Sequence, residues 1–195
     1  ADGVLFTRSG LDISVAATKT FTAQVAAMYL LALRMAEVRG ALGEDERRDL
    51  VSQIKRLPHA IAEMLEAGSA EIDAVAERFK DAPFFLYLGR HAGLPVCLEG
   101  ALKLKEISYT ATDAYAAGEM KHGPIALIDE GTPVVVVATD SPVLDKVVSN
   151  MQEVRARGAH VVAVATEGNR MIGEHAEAVL RIPATDWMLQ PLLAV

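Results

Sequence analysis

Phe84 to Pro95 reads FFLYLGRHAGLP: an aromatic and aliphatic run, a glycine, a short polar turn, then Gly93 and Pro95. Those residues predict a buried strand closed by Gly89, a loop, and the start of a helix. The pattern then repeats. PVVVVA from Pro133, HVVAVA from His160 and AVLRI from Ala178 are short, Val-rich and separated by stretches of helical period, with a weaker strand over Asp113 to Ala116. Continuous apolar strands alternating with helices imply a parallel sheet covered on both faces. The expected fold class is therefore α/β, a three-layer αβα sandwich with a flavodoxin-like parallel sheet, preceded by linking helices. The helix over 142–157 should be closed by Gly158.

Between the first two of these strands lies LEGALKLKEISYTATDAYAAGEMKHGP, Leu98 to Pro124. Leu98, Ala101, Leu102, Ile107 and Ala111 give its first half a helical period. Glu99, Lys103 and Glu106 fall at i, i+4 and i+7, so two carboxylates and one amine share a face. In an open α/β sheet the ligand crevice lies beyond the carboxyl ends of the strands, which puts the first turns of this helix near it. Ala117 to Pro124 then places His122 beside a Gly-Pro break. A carboxylate, a cation and an imidazole are the groups that proton transfer on a sugar carbon requires. The plain alternative is a helix carboxylate paired with Lys103 or Lys105, and a surface histidine.

The segment LEGALKLKEISY, followed at short distance by AYAAGE-x-KHGP, resembles the isomerase domain of the glutamine:fructose-6-phosphate aminotransferase (glucosamine-6-phosphate synthase) family, of the sugar isomerase, or SIS, fold. SVAATKTFTAQ, Ser14 to Gln24, and VRARG, Val154 to Gly158, extend the likeness over nearly the whole chain. The resemblance implies Glu106 as the base that moves a proton between C1 and C2. It implies Lys103 as the cation for a developing oxyanion, with Glu99 holding that amine. His122 would open the sugar ring, supplied to the neighbouring subunit's site, so a homodimer is implied. The turn at Val15 would offer main-chain groups to the sugar, and Ala17 stands where the family usually has Ser. No metal and no organic cofactor are implied. The family's SQSGxT phosphate loop is missing from the sequence, so the chain alone should bind sugar phosphate weakly. The implied partners are a sugar phosphate and a glutaminase domain of the same full-length protein.

On these grounds residues 1–13 are expected to be the exit strand of a truncated first SIS subdomain, 14–82 linking helices, and 83–195 a second SIS subdomain lacking its C-terminal tail. Asp2 to Thr7 should form the strand. Ser14 or Thr18 should cap a helix running to Gly40 that is apolar almost all round and so buried on more than one side. The next helix, from Glu44, should bend or divide at Pro58 and give way after Gly68 to another. Thr139 to Pro142 should be an ordinary N-cap. His59, His91, His160 and His175 show no metal-ligand spacing.

Composition narrows the classes. Hydrophobic residues make up 51% of 195 and charged residues 23%, which is globular. A net charge of -7 disfavours nucleic acid and anionic membrane surfaces. The single Cys97 excludes an internal disulfide and suits a reducing cytoplasm. No apolar run approaches the length of a membrane span. Two rival readings share the Glu-bearing helix: another SIS aldose-ketose isomerase or deglycase acting on amino-sugar phosphates, and a non-catalytic SIS module that binds sugar phosphates.

Overall fold

The computed structural model describes residues 2–195. The chain divides into two compact units, Ala1–Leu57 and Pro58–Val195.

In the first unit residues 2–13 form no strand and are largely exposed, against the expectation for Asp2 to Thr7. Helix α1 spans Thr18–Arg39. Its N-cap is Ala17, in the left-handed region at φ 49, rather than Ser14 or Thr18, and no side chain caps the turn. The Ser14 hydroxyl instead accepts from the Ala16 amide at 3.1 Å. Burial on several sides is also not what forms. Ala27 alone is buried along α1, and Met28, Leu30, Leu31, Met35 and Val38 are exposed. Its apolar circumference makes α1 the one helix among the described residues long and apolar enough to cross a membrane by length and composition, which corrects the expectation that no stretch came close. Gly40, in the left-handed region, closes it. The carboxylate of Glu37 then accepts from Arg34 and from Arg47, each at 2.6 Å.

Helix α2 is a single element, Glu44–Phe79, with Pro58 inside it and Gly68 further on. The proline removes one backbone donor. The apolar repeat Leu50, Ile54, Leu57, Ile61 continues across it, and the helix is not divided.

The second unit carries five parallel strands: β1 Phe84–Gly89, β2 Ala111–Ala116, β3 Pro133–Val137, β4 His160–Thr166 and β5 Ala178–Ile182. Their order is β2-β1-β3-β4-β5, so the chain reverses direction across the sheet between β1 and β3. Strand alternation sorts the side chains into two layers. Leu86 and Leu88 of β1, with Val134 and Val136 of β3, join Val147, Met151 and Val154 of α4 (Leu144–Arg155), together with Ala117, Met120 and Ile128. On the other face Tyr87 and Val137 join Val96 and Cys97 of α3 (Gly93–Ser108) and Ala194 of the short α5 (Pro191–Ala194). The result is the expected three-layer sandwich.

The β1–α3 turn is tight because Gly89 has no side chain: a Cβ there would lie 2.4 Å from the Gly93 carbonyl oxygen. Helix α4 starts later than expected, with Val143 as its N-cap and no side-chain bond. Asp140 is used elsewhere, its carboxylate accepting from Asn169 at 2.8 Å and its amide donating to Thr166 at 2.9 Å. The C-cap of α4 is Ala156; Gly158, at φ 87, turns the chain into β4.

Candidate functional site

Helix α3 is fixed against the sheet along one face. Gly93, Val96, Cys97 and Ala101 are buried, Gly100 lies close to the Tyr87 ring, and the Thr112 hydroxyl of β2 donates to the Ala101 carbonyl at 2.7 Å. Glu99, Lys103 and Glu106 form a stripe bordering that buried face. Their side chains retain 14%, 17% and 28% exposure, so the stripe is shielded without being sealed. The Lys103 amine donates to Glu106 at 2.7 Å and stands 3.5 Å from Glu99. The expected Glu99 to Lys103 pair is therefore the longer of two. The Glu106 bond, helped by the Glu99 charge, holds the Lys103 ammonium above its usual value of 10.5 against the opposing effect of burial.

The stripe does not end at the crevice of its own sheet. Helix α3 begins at the carboxyl ends of the strands, and at 1.5 Å per residue Glu106 lies roughly 20 Å along its axis from Gly93. The crevice side of the sheet is furnished differently. Arg90 and His91 follow β1 there, with His91 in the left-handed region at φ 52 and its ring 4.7 Å from that of Trp187.

His122 ends a short 3-10 turn, Met120–His122, and is exposed. The buried Met120 of this turn, and Ala117 before it, belong to the α4 side of the sheet, whereas the α3 stripe is on the other. Within one copy of the chain the loop that carries His122 is thus anchored on the opposite side of the sheet from the helix that carries Glu106. Val15 belongs to the first unit, in the turn before α1, and is 80% exposed. The structure thus brings together Glu99, Lys103 and Glu106 in the second unit, while Val15 belongs to the first.

The remaining histidines lie apart from the stripe's own contacts. His59 pairs with Glu63 at 3.2 Å, His160 bonds Glu177, and His175 ends the 3-10 turn Met171–Glu174. Among the described residues no group of three or more His, Cys, Asp or Glu is arranged to hold a metal ion. Burial pushes the Cys97 thiol up to about 12.

Sequence reading missed one cluster. Arg90 donates to the Asn150 side-chain oxygen at 2.9 Å, Asn150 donates to Glu153 at 3.0 Å, and Lys121 donates to the other Glu153 oxygen at 2.7 Å. The Lys121 bond, with help from Asn150 and Arg90, holds the Glu153 carboxyl below its usual 4.5. Arg90 and Asn150 are 60 residues apart, and no spacing rule joins them.

A doubly covered parallel sheet in the order 2-1-3-4-5 places the chain in the flavodoxin-like class of α/β domains, and within that class it belongs to the SIS domain family, whose model matches residues 80–193. More particularly, it is 48% identical over 195 residues to the glutamine–fructose-6-phosphate aminotransferase (isomerizing) of Methanosarcina mazei, covering all of this chain and 31% of that protein. It is 50% identical over 194 residues to an enzyme of the same name from Thermus thermophilus, covering 32% of it. The chain spans about a third of the length of these curated relatives. Among solved structures, the C-terminal domain of glucosamine-fructose-6-phosphate aminotransferase from Francisella tularensis matches with a TM-score of 0.86 and 35% identity, over 94% of this chain and 51% of that one.

Proposed function

We propose that this chain is the isomerase part of a glutamine:fructose-6-phosphate aminotransferase, acting in the cytoplasm. The substrate is the imine that ammonia, released from glutamine by another domain, forms at C2 of fructose 6-phosphate. Glu106 takes a proton from C1 and delivers it to C2, converting the ketose imine to the aldose amine, glucosamine 6-phosphate. A carboxylate suits this work because one small group reaches both carbons. Lys103 leaves Glu106 to meet the negative charge that develops on the substrate oxygen, and Glu99 retains it near the reacting atoms. His122 opens the sugar ring, an imidazole's task near neutral pH. Main-chain groups at Val15 contact the sugar.

The observation that carries this reading is the half-buried triplet Glu99, Lys103 and Glu106, with Lys103 bonded to Glu106 at 2.7 Å. The loop that carries His122 is anchored across the sheet from the helix that carries the triplet, which favours a homodimer in which each copy lends its His122 to the other's Glu106.

The test uses a chimaera in which this segment replaces its counterpart in the full-length Thermus thermophilus relative. Glu106→Gln is expected to lower isomerisation by about 10²- to 10⁴-fold, the usual range for a lost general base, and to leave glutamine hydrolysis intact. Isomerisation at the parent rate in that variant would overturn the assignment.

A further inference from the structure

We propose that Arg90, Asn150 and Glu153 act as positioning residues, forming a bracket that holds the loop from Ala117 to Gly123 and so fixes where the His122 imidazole stands. The inference rests on the proposed role of His122.

The loop needs such a bracket. The His122 side chain is exposed, so the backbone beneath it sets its position. That backbone is tied at both ends. Upstream, the Ala117 amide donates to the Gly89 carbonyl at 2.9 Å, and the Arg90 guanidinium packs against Gly118. A Cβ at Gly118 would stand 3.0 Å from both terminal nitrogens of Arg90, so the close approach depends on glycine. Downstream, Lys121 is drawn to Glu153 at 2.7 Å, and the His122 amide donates to the Glu119 carbonyl at 3.0 Å. Met120, fully buried, plugs the loop into the core between these two ties.

Asn150 is the junction. It is 5% exposed on α4 and uses both ends of its amide, accepting from Arg90 and donating to Glu153. A carboxylate there would have no donor for Glu153, and an aliphatic residue would leave Arg90 and Glu153 without a link. The bracket thus joins the end of β1, the helix after β3 and the loop after β2 around one amide. Buried polar chains of this kind fix a single geometry when every member is satisfied.

The experiment uses the same full-length chimaera, with Glu153→Ala, Lys121→Met and the conservative Glu153→Gln, and His122→Ala as reference. Glu153→Ala and Lys121→Met are expected to lower kcat for isomerisation about tenfold, within the range that a displaced catalytic group costs. KM should change less than about twofold, because a displaced catalytic group costs the reaction step and not ground-state binding. Amide exchange should quicken over 117–123, while the strands keep parent protection and Tm falls by no more than about 4 °C, as for the loss of one surface ion pair in a domain of this size. Glu153→Gln keeps one accepting oxygen and turns an amide donor toward the other neighbour, so it should recover only part of the rate. Parent kcat in Glu153→Ala and Lys121→Met, with His122→Ala inactive, would overturn the bracket and leave the proposed function standing. So would a fall in kcat that comes with a general loss of Tm. Parent activity in His122→Ala would overturn both.

Discussion

The Lys103 amine lies 2.7 Å from a carboxylate oxygen of Glu106, against 3.5 Å from Glu99 on the turn before. The cation therefore rests on the proposed base, and turnover requires it to move off. Glu99 offers the second place for it. Glu99→Gln should weaken that alternative and slow isomerisation about tenfold, whereas Lys103→Met should cost about 10²- to 10³-fold, the range for a lost oxyanion donor. Both are read as kcat in the full-length chimaera. The Lys103 ammonium is held above 10.5, so it stays protonated throughout the assay range. A group with a raised folded value stabilises the fold fully below its unfolded value and loses that contribution as pH rises through the folded one. No alkaline limb below about pH 10 should disappear in Lys103→Met.

The His122 loop and the Glu106 helix pack on opposite faces of the sheet, and this has a stoichiometric consequence. If each site takes Glu106 from one copy and His122 from the other, two inactive variants, Glu106→Gln and His122→Ala, complement each other when mixed. Random pairing makes half of the dimers mixed, and each mixed dimer has one intact and one doubly damaged site. Unfolding and refolding the two variants together should restore about a quarter of parent activity, as isologous pairing requires. Zero recovery would show that both residues serve one copy.

Most of the second unit was legible in the sequence, for a physical reason. PVVVVA and HVVAVA are covered on both faces, and FFLYLG and AVLRI are at least half-buried along their length, so almost every residue reports its environment. The first unit was not. Phe21, Val25, Met28 and Leu31 have the composition of a core helix, but composition does not say whether a partner surface is present, and α1 is largely exposed. The stripe on α3 was legible because i, i+4, i+7 spacing is local. The Arg90–Asn150–Glu153–Lys121 cluster was not, since three elements meet there that only the sheet order brings together. Asp140 misled in the same way, because Asn169, 29 residues on, claims the side chain that a local rule assigns to a helix cap.

Gly89 is placed where its missing side chain matters. A methyl group there would meet backbone, the Gly93 carbonyl oxygen at 2.4 Å and carbon at 2.6 Å, which no rotamer change relieves. Gly89→Ala should push α3 away from the end of β1 and destabilise the second unit by about 1–3 kcal/mol, the usual cost of overpacking. Gly3→Ala, with open space around it, should have little effect. Chemical denaturation of the two variants checks the contrast.

Cys97 is fully buried on α3 against Val96 and Val137. Burial pushes its thiol up to about 12, and the Val137 backbone bond offsets only part of that. At pH 8 the thiolate, the reacting form, is thus present at about 10⁻⁴ of the total, compared with about a quarter for a free thiol. A thiol reagent such as an aromatic disulfide should leave the native chain unmodified over minutes and react with one equivalent after denaturation.

Glu153 makes the acid side of the stability curve testable. Its carboxyl is held below 4.5, chiefly by the Lys121 bond. A lowered folded value means the contribution is present above pH 4.5 and is lost as pH falls through the folded value. Glu153→Gln removes the titrating group, so parent and variant should differ most near neutrality and converge as pH falls below 4.5. Lys121 is 61% exposed, which limits the difference to about 1 kcal/mol or less, as for other surface pairs. Parallel denaturation curves for the two proteins from pH 7 to pH 3 read it directly. A constant gap across that range would mean that the Glu153 charge adds nothing and that Lys121 is held by other forces.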